Sequence, residues 1–421
     1  MQQLLLLLCS LFLGVVCYYS VIRIQPDLRK SYVILLSYRF LFFVLQSVFF
    51  YYIYRNQLDP FFYHNTLIQL FDGFRQHPFD IILFLKGEYQ TMNITTELKI
   101  YFVTEVRATF FIKVLMPFFA LSAGNYYLLG AWLTFFGSRC FAAFLSLFKR
   151  SSSLVVWLLV LIIPSFTFWT VGVLKETFVL PVLFLMIYFL NMITESKGKY
   201  IISIVLFILC CWLCWYVKYY LVAIFLVGAI VYFINNKISY SFNTVLFSIL
   251  FIAAVVAVLG FLHPALQWHV FPEVVYISNH LTCTKYVDAY ACIPFDLDMT
   301  WTSIMLNYPK ALLYAFFSPF PWQIHNLTSL CAALESYVFV VLLFYMFCRW
   351  TTKKITVSNA ELVLLFIILV TGGLLIMASP NIGSFSRYRI FYVPVYAFIM
   401  LKHSGIIYNT VFLRFKNWIE K

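Results

Sequence analysis

Runs of about twenty residues without a charged side chain recur along this 421-residue chain, and they decide most of what it can fold into. A helical run of that length crosses the ~30 Å hydrocarbon core of a bilayer. In lipid, only helices and closed barrels satisfy their own backbone groups, and these runs are continuous rather than alternating. The expected fold is therefore all-α: a polytopic transmembrane helical bundle of about 11–13 spans, forming a single integral membrane domain over residues 1–421. Composition agrees. Charged residues make up 11% of the chain, against ~25% in a soluble domain, which excludes the soluble enzyme classes.

The net charge of +13 does not point to nucleic acid. Lysines and arginines cluster in short connections between the apolar runs, as the positive-inside rule requires, and no basic stripe lies outside them. The many aromatics suit interfacial belts and bundle packing. The expected partner is the lipid bilayer.

In chain order, Gln2–Val21 is apolar and is followed by Arg23, Arg29 and Lys30. A signal peptide carries its charge before the apolar run, so this reads as a retained first span. Ser31–Tyr54 is a second span, within which Arg39 can snorkel or pair. Residues 55–107 form a long polar stretch, read as the first large extracytoplasmic loop; segments such as Asn65–Phe74 suit amphipathic helices on the membrane surface. Thr109–Phe148 accommodates two spans, or a re-entrant helix and one span, broken near Ser122–Asn125. The Lys149–Arg150 pair favours one net crossing. Further spans are expected at Leu154–Val173, Phe178–Ile193, Ile201–Val217, Leu221–Ile234 and Val245–Leu262, with Lys218 in a connection. A second large loop covers residues 263–325, and spans follow at Leu327–Cys348, Leu362–Ala378 and Ile390–Leu401. On this layout only Asp27, Glu195, Glu361 and Glu420 fall on the inner side. The other acids collect on the outer face, where chemistry is expected.

Three outer stretches carry candidate chemistry. In Pro164–Glu176 (PSFTFWTVGVLKE), Lys175 and Glu176 are the only charges of a long apolar tract. A charge in hydrocarbon costs ~2.5–3.5 kcal/mol or more unless paired or wetted, so the two mark either a functional site or a short wet turn between spans. Neighbours on a helix point about 100° apart, so each should find its own partner. Asp59, with Tyr63 and His64 close behind, lies just beyond the second span. Its carboxylate can act as a general base on a substrate at the membrane surface, or can start a helix whose next residue is Pro60. Arg387 and Arg389 lie beside a Gly/Ser turn, and guanidinium forks there suit a phosphate, whether of a lipid-linked substrate or of ordinary anionic headgroups. Cys283 and Cys292 share a polar loop and can form a disulfide in an oxidising compartment. Asp296 and Asp298 have the form of a metal-binding DxD, and no set of metal ligands is assigned.

PSFTFWTVGVLKE resembles the signature P-S-x-x-F-W-S-S-G-x-x-K-E of bacterial GT-C-type integral membrane glycosyltransferases. DPFFYHN after an early span, SPFPW in a late outer loop and SRYRIFYVP near the end accompany it in the expected order. The resemblance implies a bacterial inner-membrane enzyme that takes a sugar from a polyprenyl-phosphate carrier. It would pass the sugar, with inversion, to a glycan or glycolipid acceptor on the periplasmic face. Asp59 then matches the general base, and Arg387 and Arg389 match the basic element near the carrier phosphate. Tyr63, His64, Trp169, Lys175 and Glu176 fall in the matching motifs as substrate-binding candidates. The paired acids of metal-dependent relatives are absent near Asp59, so the need for a divalent metal stays open. A surface-polysaccharide polymerase, or a lipid-linked-sugar flippase without chemistry, are the competing expectations; the latter should show broken helices and charges near mid-bilayer.

Overall fold

The structure is a computed structural model, and it describes residues 2–54, 59–148, 151–195, 200–237, 258–285, 292–325, 327–352 and 359–404. Its helices are α1 (Gln2–Arg23), α2 (Pro26–Tyr54), α3 (Asp59–Gln76), α4 (Asp80–Lys86), α5 (Thr96–Thr104), α6 (Val106–Leu121), α7 (Tyr126–Leu145), α8 (Ser152–Leu161), α9 (Pro164–Trp169), α10 (Lys175–Glu195) and α11 (Tyr200–Lys237). They continue with α12 (Phe271–Lys285), α13 (Trp301–Phe317), α14 (Leu327–Thr352), α15 (Asn359–Ala378), α16 (Ile382–Arg389) and α17 (Val393–Ser404). Among the described residues there is no strand, only an isolated antiparallel bridge between Cys292 and Asn381. The all-helical expectation holds. Among the described residues, six helical stretches are long and apolar enough to span a membrane: Gln3–Arg23, Pro26–Ile53, Tyr126–Phe148, Lys175–Thr194, Ile201–Ala229 and Ser329–Arg349.

Several expected spans take another form. Leu154–Val173 is not one helix: α8 ends at Leu161, α9 holds six residues, and the backbone from Thr170 to Leu174 is unwound. The break follows from Pro164, which disfavours helical geometry at Ile163 before it. Ile201–Val217 and Leu221–Ile234 both lie within α11, and the expected division between them is present as a kink at Lys218, whose backbone is non-helical (φ −149°, ψ 73°). Thr109–Phe148 divides at Ser122–Asn125, and the Asn125 side chain caps α7 by accepting the amides of Tyr127 and Leu128. Most of Val245–Leu262 lies outside the described residues.

The chain forms two compact units, Met1–Tyr219 and Tyr220–Lys416. In the first, α2, α7 and α10 form the core. α7 and α10 run side by side in the same direction, with Phe136 stacked on Phe178 and Phe141 against Phe184, while α2 runs opposite to them. Glycine permits the close approach: a Cβ at Gly137 would meet the Arg39 guanidinium and the Pro181 ring. The first loop folds as α3, α4 and α5 against α6. α3 is amphipathic as expected, but its apolar stripe (Tyr63, Leu67, Leu70, Phe74) is buried within the protein rather than laid on lipid.

In the second unit α13 packs on α15, where Gly372 and Gly373 let the Tyr308 and Tyr392 rings approach. Cys283 and Cys292 are disulfide-bonded, with Cα atoms 5.5 Å apart. The bridge ties α12 to the short segment that pairs with Pro380 and Asn381, since Ile293 N–H donates to Pro380 O at 2.7 Å.

Candidate functional site

The unwound Thr170–Leu174 segment and Glu176 are buried, not a wet turn: Val171, Val173, Leu174, Glu176 and Thr177 are at most 1% exposed, and Pro164 at the other end is exposed. Unwound backbone away from water must find its hydrogen bonds inside the protein, and α2 and α7 supply them. Arg39 lies roughly half-way along the 29-residue α2 and is 0% exposed. Its Nη1 donates to Thr170 Oγ1 at 2.8 Å, its Nη2 to the Thr170 carbonyl, and its Nε to Ser138 Oγ at 3.1 Å. Thr170 closes α9, so the guanidinium sits at the negative end of a helix. Gln46 Nε2 donates to the Phe168 carbonyl, Gly172 N–H donates to Thr134 Oγ1 at 3.1 Å, and Thr177 Oγ1 donates to Val171 O at 2.8 Å.

Gly172 is needed here for two reasons. Its φ of +71° is left-handed, and a Cβ would overlap Gln46 Oε1. Gly172→Ala is expected to cost about 2–4 kcal/mol of stability, combining backbone strain with forced movement of Gln46. A fall in the unfolding midpoint reads this out, with Gly14→Ala, where a Cβ meets nothing within 4 Å, as the control that changes little.

The two adjacent charges do take separate partners. Glu176 Oε1 accepts from Lys218 Nζ at 2.7 Å, and both side chains are buried. Lys218 thus belongs to the interior, not to an exposed connection. Lys175, half-buried at the start of α10, places Nζ 5.6 Å from the Tyr63 ring centroid, a cation–π arrangement. Two sequence motifs far apart in the chain therefore meet.

Asp59 is the first residue of α3, with Pro60 next, so its carboxylate occupies the positive end of that helix. It lies close enough to Tyr101 to act on it: burial pushes the Tyr101 phenol well above its usual range, and the Glu105 and Asp59 carboxylates push the same way. Phe61 stacks on Tyr126 at 4.6 Å. His64 is buried, and its Nε2 is 2.9 Å from the Gly124 carbonyl; burial, the larger effect, lowers its pKa against that hydrogen bond and a further one to Asn65. A neutral imidazole donating from Nε2 thus straps α3 to the turn before α7. Trp169 is half-buried between Phe50 and Phe168, at centroid distances of 6.3 and 5.2 Å.

No family model matches the chain, and no curated protein or solved structure matches it.

Arg387 and Arg389 belong to the second unit, on α16. Arg389 is buried, and its Nη1 donates to Ser318 O at 3.1 Å and Ser336 Oγ at 2.6 Å. It fastens the SPFPW segment to α14. Arg387 is half-buried. Among the described residues no three His, Cys, Asp or Glu side chains come together; Asp298 instead accepts from Thr300 N–H at 2.8 Å at the start of α13.

From the sequence, Arg39 is expected only to snorkel or pair and Lys218 only to sit in a connection, and Gln46 is not singled out. Arg39 and Lys218 carried the signal that singled out Lys175 and Glu176, a charge inside an apolar run. Gln46 carried none, because an amide in a span is ambiguous until its partner is known.

Proposed function

We propose that the protein is a membrane glycosyltransferase of GT-C type that moves a sugar from a polyprenyl-phosphate carrier to a glycan or glycolipid acceptor. The observation that carries the reading is the approach of Lys175 to Tyr63, which brings the K-E end of the signature to the helix that Asp59 begins. An ammonium over an aromatic face, one helical turn along from a carboxylate, suits a phosphate-linked sugar.

In the proposed step the acceptor hydroxyl oxygen attacks the anomeric carbon from the face opposite the phosphate. Asp59 takes the hydroxyl proton as the new C–O bond forms. The bond from the anomeric carbon to the phosphate oxygen breaks, and polyprenyl phosphate leaves with the electron pair. Lys175 offsets the charge on that leaving group. Glu176, paired with Lys218, holds the start of α10 rather than touching sugar, and His64 and Trp169 shape the walls. Arg389, expected at the carrier phosphate, is instead engaged with Ser318 and Ser336. The disulfide suits a second loop facing an oxidising compartment, in keeping with an inner-membrane enzyme acting on the periplasmic side.

A second reading, transport of a lipid-linked sugar without chemistry, is favoured by one observation: the broken α9–α10 element with Arg39 about half-way down α2 is the form transporters use at their binding sites. Purified protein in bilayers, given a panel of polyprenyl-phosphate sugars and mixed acceptors, separates the readings. Release of polyprenyl phosphate is expected. Release only from diphosphate-linked oligosaccharides would indicate a polymerase. Movement of donor across the bilayer without release would indicate transport.

A further inference from the structure

Two arginines on the packed faces of the first unit lack a counter-ion. Arg39, inside α2, is held by neutral acceptors alone, Thr170 and Ser138. Arg139, half-buried on α7, is less well served: its Nη1 is enclosed by the protein and has no hydrogen-bond partner. Among the described residues no carboxylate pairs with it, Asp27 at the start of α2 included. Its guanidinium carbon stands 5.4 Å from the Tyr32 ring centroid. The Tyr32 hydroxyl is neutral and already committed to Ser20 Oγ at 2.9 Å, whose own proton goes to Cys17 O at 2.7 Å. Tyr32 and Arg39 lie two turns apart on one face of α2, ~10 Å along its axis. α7 has no acid and α2 only Asp27, so two positive charges share this seam without a negative one between them. A cationic donor enclosed and left unpaired is costly unless a ligand completes it.

We propose that the groove between α1, α2 and α7 binds the phosphate of an anionic phospholipid, with Arg139 as the donor that receives it. Depth is the first reason. Tyr32 lies ~9 Å from the start of α2, and Ser20 lies less than one turn from the end of α1. Arg23, Arg29 and Lys30 crowd these two helix ends, so Arg139 stands near the headgroup level on the basic side of the bundle. Chemistry is the second reason. A guanidinium fork matches phosphate oxygens, and the negative charge that the protein omits is the one this ligand brings. The walls are the third. Leu36 and Ala142, with Val21, Ile24 and Phe135 packed around them, are apolar, and both α1 and α2 are long and apolar enough to span a bilayer. Acyl chains therefore have a surface to follow away from Arg139, whereas a free phosphate would meet one cation and carbon. The inference does not depend on the proposed chemistry.

The test is native mass spectrometry of the full chain in detergent, titrated separately with phosphatidylglycerol, phosphatidylcholine, undecaprenyl phosphate and inorganic phosphate. Wild type is compared with Arg139→Gln and with Arg75→Gln, a control at an exposed arginine that pairs with Asp72. The first phosphatidylglycerol should bind Arg139→Gln about fivefold more weakly than wild type, the worth of one cation at an anionic surface. Arg75→Gln should match wild type, and phosphatidylcholine, whose choline neutralises its own phosphate, should bind all three alike. Equal phosphatidylglycerol affinity in wild type and Arg139→Gln would overturn the proposal. A loss confined to undecaprenyl phosphate or to inorganic phosphate would overturn it too, assigning the groove to a polyprenyl carrier or to a free anion. If Arg139→Gln does not fold, wild type is cross-linked with phosphatidylglycerol carrying a diazirine on its headgroup. Adducts are then expected in the peptides that hold Ser20, Tyr32 or Arg139, and adducts found only elsewhere would sink the idea.

Discussion

Asp59→Asn is expected to lower turnover by roughly 10²–10⁴-fold, the usual worth of a positioned general base. The substitution keeps shape and keeps an oxygen at the start of α3, and Asn begins helices about as well as Asp. Folding and donor binding should therefore survive. Polyprenyl phosphate release, unfolding midpoint and donor affinity, measured together, decide the matter. Loss of turnover with an unchanged midpoint supports the base. Loss of midpoint with it would reduce Asp59 to a helix start. Tyr101 does not replace it as a base: burial and the nearby carboxylates keep its phenol protonated well past neutral pH. A neutral phenol can donate to a sugar oxygen but cannot accept the proton.

Lys218→Met is expected to destabilise the protein by about 3–5 kcal/mol, because it takes the paired ammonium away from the Glu176 carboxylate at 0% exposure. Glu176→Met should cost a similar amount by taking the carboxylate away from the buried ammonium. The double variant should be more stable than either single one, since two thioether side chains of comparable volume remove both desolvation penalties at once. Unfolding midpoints in one detergent give the cycle. If the double variant loses the sum of the single effects, the pair matters through packing, and the ion-pair account is wrong.

The helical class was legible because spans of bilayer length admit few other folds. The reading went wrong where a local rule had to be weighed against hydropathy. Pro164 sits in an apolar run that scans as one span, yet it ends α8, and hydropathy alone cannot register the unwound turn that follows. α13 went unseen because Asn307, Pro309 and Lys310 give Trp301–Phe317 the look of a loop. The charged pair Lys175 and Glu176 was found as a place but not as a mechanism. Their partners, Tyr63 and Lys218, lie far off in sequence, and no spacing rule joins them. Arg389 was read as a phosphate ligand because its partners at Ser318 and Ser336 come from other helices.

Arg39, Phe43, Gln46 and Phe50 fall at successive steps of four, three and four along α2, one face that meets Phe168, Thr170 and Gly172. Two bonds to carbonyls from fixed points of one rod act like the teeth of a key. Turning the rod by one residue rotates the face by about 100°, and sliding it by one residue shifts it ~1.5 Å, so neither movement keeps both bonds. The backbone beneath the site has no gradual way to yield. Whatever travel a substrate asks of Lys175 must come from the lysine's own flexible stem.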